Sequence, residues 1–200
     1  MKSLIFIILF QLNTNGYAAA SDKNWFCAQR LVRNISIGAV WHHGHNEIFD
    51  SLNQNKIMVS ELIKKTGHRL LETQDNQEHA TTIVKKFSQK ISGDNSKLTL
   101  LFAYTLKKLN QQRQEKINYV LNYGRNHQKR VDILQITRKQ IRQAIKDTNI
   151  TKLADLEEQY QWQITVLNAR KKHNPYLCEE VVDTDAYAFF LAKEISQYIN

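Results

Sequence analysis

The sequence is poor in the two residues that most often turn or break a chain. Its 200 residues include six glycines and a single proline, Pro175. Sheets joined by tight turns need more of both, because such turns use the positive φ of glycine or the fixed φ of proline. Strict alternation of apolar and polar residues is also rare, whereas apolar residues spaced three and four apart recur along the chain. The sequence therefore predicts an all-α protein.

Long apolar runs are also lacking. The longest covers residues 4–12 (LIFIILFQL), and it is too short to span a bilayer, which needs about 20 apolar residues. Lys2 precedes this run and three alanines at 18–20 follow it, as in a secretory signal peptide with an A-x-A cleavage site. We therefore predict a cleaved signal peptide over residues 1–20. The mature chain, residues 21–200, should be a single secreted or periplasmic domain without a transmembrane segment.

Cysteine occurs only twice, as Cys27 and Cys178. In an oxidising compartment the simplest state of such a pair is a disulfide, and two separate free thiols are the alternative. The bond would close nearly the whole mature chain, and on the chain-entropy estimate a loop of this length is stabilised by about 5 kcal/mol. A cysteine held in a disulfide cannot act as a catalytic nucleophile.

The spacing of apolar residues predicts six helices. The longest begins near Ser96, and any bend or break in it is expected at Gly124. A turn over residues 148–151, in which Thr151 caps the next helix, leads to a returning helix that should end at Pro175. The predicted helices cover residues 22–42, 46–71 (bent near 53–56), 75–92, 96–147, 152–172 and 183–199.

Residues 96–172 are the most distinctive part of the pattern. Two helices joined by a four-residue turn should pack antiparallel, and their apolar residues repeat at the spacing of an imperfect coiled-coil seam. A straight helix of about 50 residues would be about 75 Å long. Aromatic residues cluster toward the two ends of the domain, where the disulfide would bring them together. We therefore predict a compact helical base, closed by the terminal disulfide, and a long antiparallel helical hairpin that projects from it.

Positive charge is concentrated in one segment. From residue 107 to 146 the chain carries eleven basic residues against two acidic ones, so this segment alone accounts for the net charge of +9. Such a surface suits an anionic partner outside the cytoplasm: a glycosaminoglycan, an anionic lipid headgroup or an acidic protein face. Nucleic acid suits it less, since the chain has no nucleic-acid motif and is expected to leave the cytoplasm. The candidate partner-binding residues are Arg125, Lys129, Arg130, Arg138, Lys139 and Arg142.

A competing interpretation is that this charge is neutralised within the fold. Residues 147–200 contain nine acidic and five basic residues, so the part of the chain that returns along the basic helix has the opposite sign. Three carboxylates of the returning helix could lie near the basic side chains that end the long helix: Asp155, Glu157 and Glu158.

A cluster of histidines lies between the first two predicted helices. The run WHHGHNE at 41–47 contains three of the seven histidines, and its nitrogen and oxygen ligands suit zinc or copper. On a helix these side chains would point to two different faces, so a metal site would need a loop and further ligands such as His68 or His79. The alternative is a solvated polar junction between helices. The candidate metal ligands are His42, His43, His45 and Glu47.

No other pattern in the sequence specifies a reaction. The chain lacks a hydrolase nucleophile elbow, a Walker loop, a dinucleotide-binding glycine motif and a CxxC pair. We predict no cofactor, and the sequons at Asn34 and Asn149 matter only in a eukaryotic host. The leading hypothesis is an exported, non-enzymatic interaction protein that binds a protein or polyanion through the basic long helix. The alternatives are a metal-binding protein or metalloenzyme built on the histidine cluster, and a helical carrier of a small apolar ligand lined by aromatic residues.

Overall fold

The computed structural model describes residues 22–199, which form seven helices and no strand. The predicted all-α fold is therefore confirmed. The predicted signal peptide, residues 1–20, lies outside the described residues. No helix within residues 22–199 is both long enough and apolar enough to cross a bilayer. The helices are α1 (Ile37–Val40), α2 (Asn46–Asn53), α3 (Glu61–Leu71), α4 (Gln77–Lys90), α5 (Asn95–Lys146), α6 (Ile150–Lys171) and α7 (Asn174–Ser196).

Side-chain caps set where four of these helices begin. In each, an oxygen of the capping side chain accepts a hydrogen bond from the backbone N–H three residues later, which satisfies a donor that has no partner in the helix. The prediction that Thr151 caps the returning helix is wrong, because Asn149 takes this role with its Oδ1 atom 3.0 Å from the Lys152 N–H. The caps are Ser60 for α3, Asn76 for α4, Asp94 for α5 and Asn149 for α6.

The first part of α5 is the centre of the base. Every residue from 98 to 106 is buried, because side chains of α2, α3, α4 and α7 share one apolar core with this stretch of helix. Trp41 stacks on Phe102 with their ring centroids 4.6 Å apart, and Phe49 meets Phe102 edge to face at 6.1 Å. These aromatic residues therefore pack within the core of the base.

The predicted first helix is wrong except for the short α1. Residues 22–36, here called the strap, contain no helix and are held by side chains of α5. The Arg113 guanidinium donates to the carbonyl oxygen of Val32. The Asn110 side chain accepts from the Ile35 N–H at 2.7 Å and donates to the Ile35 carbonyl oxygen at 3.3 Å. Because these backbone groups bond to α5, they need no helical partners of their own.

The predicted disulfide between Cys27 and Cys178 is confirmed. It joins the strap to α7 across a sequence separation of 151 residues, with the two Cα atoms 5.6 Å apart. Beside it, the Gln29 side chain donates to the Cys178 carbonyl oxygen at 3.1 Å. Cys27 packs on a second, smaller apolar cluster, which lies between α5, α7 and the strap and is formed by Ile117, Val120, Leu121 and Val181.

The final helix begins earlier than predicted and includes Pro175. α6 ends at Lys171, and α7 begins at Asn174 rather than near residue 183 as predicted. Pro175 occupies the first turn of α7, where its missing N–H costs nothing, because the first N–H groups of a helix have no partner within the helix. Only residues 172 and 173 separate α6 from α7.

α5 runs without a break through Gly124, the residue at which the sequence favours any bend or break. Gly124 is buried, and a Cβ atom built on it would overlap the carbonyl oxygen of Asn24 in the strap. Only glycine lets the strap backbone approach α5 this closely. The glycine therefore serves the packing of the strap against α5.

We predict that Gly124→Ala lowers the free energy of unfolding. Alanine favours the helix by about 1 kcal/mol, but overlap with a backbone atom costs about 1–3 kcal/mol or displaces the strap. Gly38→Ala in α1 is the matched control, because its Cβ would have Ser36 Oγ at 3.9 Å as its nearest neighbour. Denaturant unfolding measures both variants. A Gly124→Ala protein at least as stable as wild type would show that the strap does not need this contact.

Tyr187 joins α7 to the end of α3. Its side chain is 2% exposed, and its hydroxyl donates to the Leu70 carbonyl oxygen and lies 3.0 Å from the Thr73 hydroxyl oxygen. Burial raises the pKa of Tyr187 to about 12, against the opposing effect of the hydrogen bond with Thr73. The folded protein therefore keeps this phenol neutral at a pH at which the unfolded chain ionises it.

We predict that the free energy of unfolding falls between about pH 10 and about pH 12. In the Tyr187→Phe variant it should fall less steeply over this range. There the unfolded chain has lost the phenolic proton and the folded chain retains it, so rising pH favours unfolding. At neutral pH the variant should be less stable by about 1–2 kcal/mol, because Leu70 and Thr73 lose a partner. Unfolding curves at neutral and alkaline pH test this. Tyr119→Phe, at a side chain 59% exposed, is the control and should follow wild type.

Candidate interaction surface

An aromatic contact around Tyr123 joins the two helices of the hairpin to each other and to the strap. The Tyr123 hydroxyl of α5 donates to the carbonyl oxygen of Arg170 at 2.8 Å, and the Arg170 guanidinium lies over the Tyr123 ring at 4.1 Å. Phe26 of the strap packs against the same ring, with 5.9 Å between centroids. Beyond this point α5 and α6 pack mainly on each other. We call residues 127–167 the hairpin arm.

The seam of the hairpin arm has a polar centre. Four of its residues are buried, namely Thr137, Ala144, Leu156 and Gln163. The Gln163 side chain donates to the Thr137 hydroxyl at 3.2 Å, and that hydroxyl donates to the Ile133 carbonyl oxygen at 3.2 Å. The Gln163 Oε1 atom is buried without a hydrogen-bond donor. The two helices therefore meet across an incompletely satisfied polar pair, which costs stability.

One side of the hairpin arm exposes large apolar side chains, and we call it the Trp162 side. Trp162 is 63% exposed, and Ile133 and Ile136 are 50% and 54% exposed. Arg130 and Val166 line a shallow cleft of about 220 Å³ with Trp162 and Ile133. A tryptophan and a basic side chain thus border one apolar depression.

The opposite side of the hairpin arm, the Tyr160 side, combines apolar and charged residues. Its cleft of about 680 Å³ lies between half-buried Ile141 on α5 and half-buried Tyr160 on α6. Exposed charges of opposite sign border it, positive on α5 and negative on α6. The bordering residues are Arg138, Arg142, Glu157 and Glu158.

The six candidate partner-binding residues are all exposed, but they do not form one patch. Arg130 lies on the Trp162 side, whereas Arg138 and Arg142 lie on the Tyr160 side. Arg125 faces the strap, where its charge adds to the lowering of the Asp22 pKa, an effect that comes mainly from hydrogen bonds of Asn24. Lys129 and Lys139 complete the set.

The basic segment divides into two parts with different partners. Near the base, Lys107 donates to the Leu52 carbonyl oxygen, Arg113 pairs with Asp185, and Lys116 lies 3.2 Å from Glu180. In the hairpin arm, by contrast, no basic side chain lies within 4 Å of a carboxylate oxygen among the residues described. The carboxylates of α6 therefore form no ion pair with α5 there, and the arm's positive charge is open to solvent. Sequence reasoning could not show this division, because it depends on which residues face the base.

The histidine cluster is only partly brought together. His45 Nδ1 lies 3.2 Å from Glu47 Oε1, and the pKa of Glu47 is lowered, first by its own backbone N–H and then by His45. The His43 ring packs against the edge of Trp41, with 5.3 Å between centroids, and His42 is exposed. No three histidine, cysteine or acidic side chains between residues 22 and 199 lie close enough to hold a metal ion. Metal binding here stays a prediction.

A third cleft lies between the strap, α2 and α5, with a volume of about 420 Å³. Two of its polar side chains already bond to backbone, since Asn110 pairs with Ile35 and Lys107 donates to the Leu52 carbonyl oxygen. These contacts hold the strap and the end of α2 in place. The cleft therefore fits a structural role, and binding of a small apolar ligand stays a prediction.

We predict that the double variant Thr137→Val/Gln163→Leu is more stable than wild type by about 1–2 kcal/mol. The two substitutions together remove the unsatisfied Gln163 oxygen, and with it the Gln163 amide and the Thr137 hydroxyl that bond to each other. They place apolar side chains of similar volume in the seam. Thr137→Val alone is the matched control and should destabilise the protein, because it also leaves the Gln163 amide without an acceptor. Thermal unfolding followed by circular dichroism measures the three proteins. A double variant less stable than wild type would show that the polar pair stabilises the seam.

Comparison with models of protein families, with curated proteins and with solved structures finds no match to this chain. Its function is therefore inferred from its own geometry and charge. Among the features described, the Trp162 side combines exposed aromatic and aliphatic surface with basic side chains that form no ion pair within residues 22–199.

Proposed function

We propose that this protein is an exported, non-enzymatic interaction protein whose hairpin arm binds an acidic face of another macromolecule through the Trp162 side. The observation that carries the proposal is the juxtaposition of exposed Trp162, Ile133 and Ile136 with unpaired positive charge. Tryptophan and arginine are enriched among the residues that dominate protein–protein binding energies. Contiguous exposed apolar patches that are rimmed by polar residues often mark interaction sites.

The charge on this side favours an acidic partner. Arg130 lines the cleft beside Trp162. Lys129 precedes Ile133 by four residues and Ile136 by seven, so all three share one face of α5. Positive charge around an apolar anchor attracts an acidic surface during encounter and disfavours basic ones. The apolar centre distinguishes this surface from a purely electrostatic site for a flexible polyanion, which needs no exposed tryptophan.

Export is supported by two independent features. Residues 1–20 have the pattern of a signal peptide, and the structure contains a disulfide between Cys27 and Cys178. Structural disulfides persist mainly in oxidising compartments. The partner is therefore expected outside the cytoplasm.

The proposal predicts that charge reversal at the start of the hairpin arm and just before it abolishes partner capture. The variant is Arg125→Glu/Lys129→Glu/Arg130→Glu, tested with immobilised mature, oxidised protein against the extracellular or periplasmic fraction of its own host. Captured proteins are quantified one by one. We expect those held by wild type to be at least tenfold depleted, since reversal replaces attraction by repulsion.

A matched control is Lys85→Glu/Lys86→Glu/Lys90→Glu, which reverses three exposed lysines on α4 and changes the net charge equally. This control should capture the same proteins as wild type, and all variants should keep the helical circular-dichroism spectrum. Trp162→Ala tests the apolar anchor, where loss of a dominant residue costs about 2 kcal/mol or more of binding free energy. Undiminished capture by the hairpin variant would refute the proposal.

A further inference from the structure

The Tyr160 side of the hairpin arm is a second apolar face that the fold leaves open. Ile141 and Tyr160 line its cleft, and residues three, four or seven positions from them lie on the same faces of α5 and α6. These neighbours are half-buried or exposed, because a pair of helices can bury only the seam between them. They are Leu134 and Ile145 on α5, and Leu153, Ile164 and Leu167 on α6.

The two edges of this face carry opposite charges. Arg138 and Arg142 lie one turn apart on α5, and Glu157 and Glu158 lie on α6, all four exposed. They border one cleft, yet no ion pair within 4 Å joins them in the part of the chain that the structure describes. Each edge therefore has unpaired charge available to a molecule that covers the apolar centre.

We propose that the Tyr160 side binds the same side of a second copy of this chain, with the two arms forming a four-helix bundle. Face-to-face packing about a two-fold axis parallel to the arms places α5 of each copy over α6 of the other. Arg138 and Arg142 of each copy then meet Glu157 and Glu158 of its partner. A two-fold axis perpendicular to the arms would instead place arginine over arginine and glutamate over glutamate.

The sign pattern favours a second copy over an unrelated partner. A partner that covers this face must offer a negative edge, a positive edge and an apolar strip between them, in the right order. The Tyr160 side offers all three, so it is complementary to itself once rotated. The inference goes beyond the proposed function, because it uses the opposite side of the arm and leaves the Trp162 side free.

The size of this face sets the expected affinity of the dimer. A helical arm of about 20 residues is about 30 Å long, and two helices side by side are about 20 Å wide. Each copy could therefore bury about 600 Å², which puts the interface near the lower limit for specific complexes. We expect a reversible dimer that dissociates in the micromolar range.

The test exchanges the charges of one edge at a time. Variant one is Arg138→Glu/Arg142→Glu, and variant two is Glu157→Lys/Glu158→Lys. Sedimentation velocity of mature, oxidised protein, at about 1 to about 100 µM, measures the state of wild type, of each variant and of their equimolar mixture. Wild type should be dimeric at the upper concentrations, and each variant alone should dissociate at least tenfold more readily. The mixture should dimerise again, because each edge of one variant then meets its opposite in the other.

The mixture separates pairing between copies from pairing within one hairpin. Charge pairs within a hairpin could not be restored by mixing, so variants that stay monomeric in the mixture would overturn the proposal. A monomeric wild type over the whole range would also overturn it and assign the face to a different protein. Lys85→Glu/Lys86→Glu on α4 is the matched two-charge control and should dimerise as wild type does. The reversal at Arg125, Lys129 and Arg130 should also remain dimeric, which separates this test from that of the proposed function.

Discussion

The structure depends on the complete burial of the first part of α5. From residue 98 to 106 every residue of this helix is buried, because α2, α3 and α7 pack around it and α4 adds side chains to the same core. An apolar helix surface buried on all sides is held in one position and rotation, because packed interiors resist displacement. Since α5 continues without a break to Lys146, the direction of the hairpin arm is set inside the core of the base.

Two further contacts hold α5 where it leaves the core of the base. Arg113 is 4% exposed and bonds both to Asp185 of α7 and to the Val32 carbonyl oxygen of the strap. A buried charge is tolerated only when it is paired and hydrogen-bonded, so these three elements must come together for α5 to bury this residue. The disulfide then ties the strap to α7 on the same part of the fold. The base and the root of the arm are therefore closed by one connected set of contacts.

Helix α5 and the disulfide could be predicted from the sequence because their causes are local or compartmental. The structure has α5 from residue 95 to 146, within one residue of the predicted bounds of 96 and 147. Two cysteines in a chain that is predicted to be exported most simply form a disulfide with each other. The strap could not be predicted. Its apolar residues have helical spacing, but its backbone is bonded by Arg113 and Asn110, and such tertiary contacts override local preference. The role of Gly124 could not be predicted for the same reason, since Asn24, which packs against it, is distant in sequence.

The candidate surface was predictable only in outline. The concentration of positive charge indicates the long basic helix as its location. The basic residues of the arm are exposed, as binding to an anionic partner requires. Its division into two sides did not follow, because the side on which Arg130 or Arg138 lies depends on where α6 packs. The exposure of Trp162 could not be predicted, since a single tryptophan in a helical pattern more often indicates a core residue.

The continuity of α5 also has a mechanical consequence. One end of this helix is enclosed by the base, and about 35 Å of it extends beyond Tyr123, where Phe26 of the strap packs on it. It therefore acts as a lever, in which a rotation of one degree at the base moves the far end by roughly 0.6 Å. Any load on the turn around Thr148 is carried by an unbroken helix to the side chains around Phe102, and a change in their packing would in turn be magnified at the tip.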